Sequence, residues 1–182
     1  NIYIVKFMKI LGYTQEDDFL DKKIFDVVVE DLEGAHFPWF FNKYINYNQD
    51  GDPKWDDPTL ESFQFVHVFK TYDDKKIASR YFDIVKPILQ KLNVKILYRL
   101  KLNMTTGSAK LHESDLHVDV PDDCKTSVFY VNTNNGYTKF EDGTKIYSKA
   151  NRLITFNSQM KHCGTNTTDS KCRIVLNINY TN

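Results

Sequence analysis

The 182-residue chain has little of several things that would each place it in a class. Cysteine is sparse: Cys124, Cys163 and Cys172 are an odd set that no disulfide framework uses, so a reducing compartment is expected. The 7 glycines and 5 prolines are too few for a disordered or low-complexity chain. Neither charge dominates, because 24 Lys+Arg balance 24 Asp+Glu. That balance argues against the broad positive field that duplex nucleic acid or an anionic membrane would require. No apolar run reaches the roughly 20 residues of a membrane span, and the opening residues lack the pattern of a secretory leader. What is present is 41% hydrophobic and 14% aromatic residues, enough to close a core as a single domain over residues 1–182.

Periodicity divides the chain in two. Ile2, Ile4, Phe7 and Ile10 suggest a strand over 1–11. Ile24, Phe25, Val28 and Leu32 recur at helical spacing, with Asp21 placed to cap a helix over 21–33 and Gly34 to close it. Residues 36–47 are dense in aromatics (Phe37, Trp39, Phe40, Phe41, Tyr44, Tyr47), the composition of a core segment or of a cleft mouth. Residues 48–58 read as a loop and a candidate lid. Their acidic residues around Gly51 lack the frame and closing Glu of a calcium loop. A strand is expected over 63–69, with His67 as a structural histidine, and a second helix over 77–92, capped by Ser79 and kinked or broken at Pro87.

From residue 94 the period becomes two. A strand over 94–103 turns Tyr98, Leu100 and Leu102 one way and Arg99, Lys101 and Asn103 the other, a polar face that ordinarily meets solvent. Residues 104–113 read as a mobile flap. Thr126, Val128, Tyr130 and Asn132 share a strand face. Asn134-Asn135-Gly136 and Glu141-Asp142-Gly143 mark hairpin turns, and further runs lie over 146–147, 152–156 and 173–180. Short strands with regular turn signals indicate an antiparallel sandwich or barrel. The expected fold class is α+β: a double-stranded β-helix, or jelly roll, over 94–182, supported by a strand and two or more helices over 1–93.

His117-Val118-Asp119 puts an imidazole and a carboxylate two residues apart, on one face if the backbone is extended. His162 would complete two imidazoles and one carboxylate, the ligand set that leaves coordination positions open on a non-haem iron. With 5 His and 18 Asp in the chain, chance alone gives about 0.5 His-x-Asp pairs, so the pair by itself says little. The weight falls instead on Arg173, 11 residues beyond His162 at the head of the last apolar run, and on the segment between them. His112, five residues before His117, shares no strand face with it and is not expected to bind metal.

Read together, His117-Val118-Asp119, Lys125–Asn132, Gly136–Phe140, Asn151–Phe156, His162-Cys163-Gly164 and Arg173–Tyr180 resemble the catalytic core of the 2-oxoglutarate/Fe(II)-dependent oxygenases. The prolyl-4-hydroxylase-like branch is nearest, and the stretch is similar to oxygenases carried by tailed phages of marine bacteria. The resemblance implies Fe(II) on His117, Asp119 and His162, with 2-oxoglutarate as co-substrate and dioxygen as oxidant. It implies that Arg173 holds the far carboxylate of 2-oxoglutarate, that Tyr130 donates to the same group, and that Thr138 walls it. Asn103 would hold the carboxylate near the iron, although Thr105 stands where the family often has Tyr. Asn177 and Asn179, on the strand face of Arg173, are candidates for contact with the primary substrate. That substrate is expected to be a prolyl or other protein side chain, or else a free amino acid or small metabolite. No nucleic acid or membrane partner is expected, the oligomeric state stays open, and the implied setting is cytoplasmic, in a bacterial host if the gene is phage-borne. A non-catalytic jelly roll, sugar-binding or part of a virion, and a metal enzyme without 2-oxoglutarate are the competing readings.

Overall fold

The computed structural model describes residues 12–45, 63–74 and 76–182. The strand expected over 1–11, the loop over 48–58 and Tyr47 lie outside the described residues. In chain order the elements are β1 (Tyr13–Glu16), α1 (Lys22–Glu33), β2 (Phe40–Asn42), β3 (Gln64–Lys70), a 3-10 turn (Phe82–Val85), α2 (Lys86–Lys91), β4 (Ile96–Thr106), β5 (Lys125–Tyr130), β6 (Tyr137–Phe140), β7 (Lys145–Tyr147), β8 (Arg152–Asn157), β9 (His162–Gly164) and β10 (Cys172–Thr181). Among the described residues the strands make two sheets. One has the order β1-β8-β5-β10-β4-β3-β2 and the other β7-β6-β9. Every pairing between these strands is antiparallel. This is the α+β double-stranded β-helix, with two α-helices.

The large sheet buries both faces, and β10 shows how. Ile174, Leu176, Ile178 and Tyr180 pack with Leu100, Leu102, Phe129 and Leu153, and against Val28 and Leu32 of α1 and Ile88 of α2. Val175, on the alternate face, packs between the sheets with Val128, Tyr130, Ile154 and Phe156 of the large sheet and Phe140 and Ile146 of the small one. Period-two alternation separates these two cores along a single strand.

Helix α1 begins as expected, with the Asp21 carboxylate accepting from the Lys23 amide at 3.0 Å. The helix expected over 77–92 is shorter than its pattern: only Lys86–Lys91 is α-helical, preceded by the 3-10 turn. Pro87 has no N–H, and its ring would meet the carbonyl of residue 83 in a continuous helix. In a first turn neither problem arises. Strand β4 runs three residues past its expected end into the expected flap, because β10 pairs with it as far as Thr106. The aromatic segment divides. Phe37 is core and stacks on His67 at 4.6 Å, whereas Phe40 and Phe41, 59% and 63% exposed, lie on the short strand β2.

Asn151 ties the N-terminal segment to the jelly roll. It has φ of 62°. Its side chain accepts from the Leu20 amide and donates to the Leu20 carbonyl, both at 2.8 Å, and its own carbonyl accepts from the Phe19 amide at 2.8 Å. Asn151→Ala removes the side-chain pair and leaves a β-carbon in the left-handed region. It is expected to cost about 2–4 kcal/mol. Asn151→Gly relieves the backbone and should cost measurably less. Urea unfolding midpoints check both the loss and its order.

Candidate metal centre and its cavity

His162 opens β9, and His117 pairs with it outside any longer strand. The two residues exchange both backbone hydrogen bonds, at 2.9 and 3.0 Å. Antiparallel residues paired in this way turn their side chains to the same face, and the imidazole centroids are 4.9 Å apart. Asp119 lies in a bend and not in a strand. Its carboxylate nevertheless comes back to 3.7 Å from His117 Nε2 and 3.9 Å from His162 Nε2. The three ligand atoms lie within 4.8 Å of one another.

Both histidines are pre-set for a metal. The Nδ1 of His117 meets the Asp115 carbonyl at 2.9 Å, and that of His162 meets the Met160 carbonyl at 3.1 Å. A ring nitrogen facing a carbonyl carries the proton, so Nε2 of each presents its lone pair to the centre. His162 Nε2 and Asp119 Oδ2 are buried without a hydrogen-bond partner. Orphaned buried acceptors are costly unless something else satisfies them. A divalent cation would, and the donor set of two imidazoles and a carboxylate suits iron.

The electrostatics agree. Burial opposes ionisation of Asp119, but Arg99 at 3.2 Å and the two imidazoles hold its carboxyl well below the usual carboxylate range. Burial lowers His162, keeping it neutral. His117 is half-exposed; partial burial works against its protonation, but the neighbouring Asp119 carboxylate raises it above the ordinary 6.5.

A cavity of about 510 Å³ is lined by His117 and Asp119 of this triad and by residues of β4 and β10. Arg173 lines its far part and is only 4% exposed. The guanidinium donates to Ser148 Oγ at 2.8 Å, the Thr165 carbonyl at 3.2 Å and Thr138 Oγ1 at 3.2 Å. The Tyr130 ring lies 5.7 Å away. All of these partners are neutral, and no carboxylate among the described residues lies within ion-pair distance. Gly136 leaves room for the arginine: a β-carbon there would stand 2.5 Å from Arg173 Cδ and 2.4 Å from the Asn166 carbonyl.

The other residues that the sequence nominates fall into three groups by position. Asn103 and Asn177 line the cavity. Tyr130 and Thr138 back Arg173 from behind, with the Tyr130 hydroxyl donating to Thr138 Oγ1 at 2.9 Å. Asn179 is fully buried and donates to Thr126 Oγ1 at 2.9 Å. His112 lines the cavity but does not join the metal-capable group. Sequence reasoning alone misses Arg99 and Lys101, whose polar face of β4 borders the cavity and not open solvent. A signal exists in the matching alternation of two strands: Arg99, Lys101, Asn103 and Thr105 are the register partners of Asn179, Asn177, Val175 and Arg173. Ser148, which holds Arg173, has no signal in the sequence.

No protein-family description and no curated protein matches the chain. Solved structures do. An oxidoreductase of the 2OG-Fe(II) oxygenase family from Burkholderia pseudomallei superposes with a TM-score of 0.65 at 11% identity, covering 99% of this chain and 90% of that one. A prolyl hydroxylase from Trichoplax adhaerens, in complex with a hypoxia-inducible factor oxygen-degradation-domain peptide, gives 0.63 at 13%, covering 97% and 87%. A Pseudomonas putida prolyl-4-hydroxylase gives 0.55 at 14%, covering 100% and 98%. At these identities the likeness is one of fold.

Metal binding should depend on pH in one direction. His117 must be neutral to bind an ion, so binding displaces its proton. Because its pKa is raised, that competition begins above 6.5 and deepens as pH falls. Zn(II) affinity, measured against a chelator from about pH 8 to 6, is expected to fall steadily, by up to about tenfold per unit. A flat profile would contradict the assignment of His117.

Proposed function

We propose that the protein is an Fe(II)- and 2-oxoglutarate-dependent dioxygenase that hydroxylates an unactivated C–H bond. The observation that carries the reading is a buried, charged Arg173 with no carboxylate partner among the described residues, lining one cavity with His117 and Asp119 of a three-ligand metal set. A buried cation calls for an anion, and three protein ligands leave coordination positions for small molecules. A dicarboxylic acid with one end on the metal and the other on Arg173 meets both demands. The arginine fork suits a carboxylate better than an ammonium would.

His117, Asp119 and His162 would hold the iron. Iron with 2-oxoglutarate supplies activation of dioxygen, with release of succinate and carbon dioxide. The rest is the work of this chain's residues. Ser148, the Thr165 carbonyl and Thr138 fix the plane of the Arg173 guanidinium. Tyr130 would turn its hydroxyl from Thr138 toward the bound carboxylate. Asn103 lines the cavity, where it would donate to the carboxylate at the metal. Val175, packed into the core between the sheets, would give the cavity an apolar wall.

A prolyl or other protein side chain is the first candidate substrate, supported by the two similar prolyl hydroxylases, one of them with a bound peptide. A free amino acid or small metabolite is the alternative. Among the described residues no helix is long and apolar enough to cross a membrane. The sparse cysteines support a reducing, cytoplasmic setting, that of a bacterial host if the gene is phage-borne.

Anaerobic titration with Fe(II) and 2-oxoglutarate tests the reading. The weak visible charge-transfer band of the chelate is expected in the wild type and lost in His162→Ala. Arg173→Ala should need about 50-fold or more 2-oxoglutarate for half-saturation, since it removes charge-assisted bonds. Gly136→Ala, which displaces Arg173, should shift the midpoint in the same direction. Tyr130→Phe should shift it by only a few fold. An iron-loaded, folded wild type without the band overturns the proposal and leaves a binding or virion jelly roll, or a metal enzyme that does not use 2-oxoglutarate.

A further inference from the structure

Two cations on β4 are neither ligands of the candidate metal centre nor partners of Arg173. Arg99 and Lys101 alternate with buried Leu100 and Leu102, so both side chains turn to the cavity, which they line. Lys101 makes no hydrogen bond and no ion pair among the described residues. Burial and then the like charge of Arg99 push its ammonium down to about 8, against a weaker pull from Asp119. Arg99 has one carboxylate in reach among the described residues, Asp119 at 3.2 Å, and its Nη1 is buried without a hydrogen bond. Asp119 is also the carboxylate that a metal ion would claim. A metal ion would share that one carboxylate with Arg99, and Lys101 has no carboxylate within ion-pair distance among the described residues.

Register separates this pair from Arg173. Arg173 lies opposite Thr105, Asn177 opposite Lys101 and Asn179 opposite Arg99. Four strand residues from Thr105 to Lys101 span about 13 Å. Arg173 therefore serves an anion at one end of the cavity, and Arg99 with Lys101 faces the other. Asn177 adds a polar atom there, since its Oδ1 is buried without a donor. Arg99, beside Asp119, together with Lys101 and Asn177, thus lines the part of the cavity away from Arg173.

We propose that Arg99 and Lys101 form the recognition site for the primary substrate and that this substrate carries a carboxylate, with an N–H or O–H beside it for Asn177. The inference rests on the dioxygenase reading for its co-substrate. The carboxylate can belong to a free amino acid or to an Asp or Glu side chain of a peptide. Holding two half-buried like charges side by side is costly, and a bound carboxylate offsets that cost better than water does. A neutral substrate would leave both cations unmatched next to the metal.

The test is binding and does not need turnover. Zn(II)-loaded protein with 2-oxoglutarate is probed by saturation-transfer NMR with the free L-amino acids against their carboxamides. Terminally blocked pentapeptides with Asp or Glu are set against the same peptides with Asn or Gln. At least one acid should bind about tenfold or more tightly than its amide. Success in the first arm assigns a small acid, and success in the second an acidic peptide. Lys101→Gln should erase the preference for acid over amide while the 2-oxoglutarate midpoint stays within about twofold. The proposal is overturned if no acid is preferred over its amide. It is also overturned if Lys101→Gln raises the 2-oxoglutarate requirement as Arg173→Ala does, since the pair would then hold the co-substrate. A missing charge-transfer band in the separate iron titration would instead remove the dioxygenase reading.

Discussion

A guanidinium held out of water by neutral oxygens is the constraint around which this structure is arranged. Arg173 donates to a serine hydroxyl, a threonine hydroxyl and a carbonyl, and its charge is not neutralised by any of them. Burial does lower its pKa, yet an arginine does not give up its proton in a protein. The surrounding fold must therefore carry the cost of an uncompensated charge in the ligand-free state. Proteins keep such a group where a ligand brings the missing charge. The jelly roll supplies what this arrangement needs: two sheets close enough to exclude water, with their inner faces partly polar at one end.

The two sheets divide the work. Arg173, Val175 and Asn177 come from the large sheet, and His162 from the small one. His117 and Asp119 lie between them, on a segment tied to β9 by the His117–His162 bridge and by Ser114 on Gly164. The candidate metal centre thus sits where the sheets meet, and Arg173 lies on the wall of one of them. A shift of one sheet against the other would change the distance between the two. Gly136, just before β6, sets how closely they approach, because its hydrogen atom is all that fits beside Arg173 and the Asn166 carbonyl. Packing and ligand geometry are in this sense one constraint.

Much of this is legible in the sequence. The alternation of β5, β8 and β10, the turn residues between them and the Asp21 cap of α1 all use local rules that survive in the folded chain. The ligand triad and Arg173 are legible through joint spacing. The misreadings share a cause, which is that local pattern does not say what covers it. Pro87 reads as an interruption within a long helix, but its effect is to define where a short one begins. Arg99 and Lys101 read as solvent-facing because polar alternation on a strand carries no label for which face is covered. Only the pairing of β4 with β10 shows that those residues face the same space as Arg173. Ser148 has no pattern at all: it reaches Arg173 across the sandwich, and nothing local in a sequence encodes a contact between residues 25 positions apart.

Strand β10 explains why the site and the fold stand or fall together. Its odd-numbered positions from 173 to 179 carry arginine, valine and two asparagines toward the space between the sheets. Its even-numbered positions carry Ile174, Leu176, Ile178 and Tyr180 into the core beneath the helices. A slip of one residue would exchange the two faces. Arg173 would then enter the apolar core and Ile174 the polar cavity, and both changes are costly. The register that buries four large apolar side chains is the same register that sets Arg173 opposite Thr105 and Asn177 opposite Lys101. The hydrophobic effect thus fixes the positions of charges that, taken alone, oppose folding. Those charges in turn penalise every slip that exchanges the faces, so the strand that is central to the core also defines the geometry of the cavity.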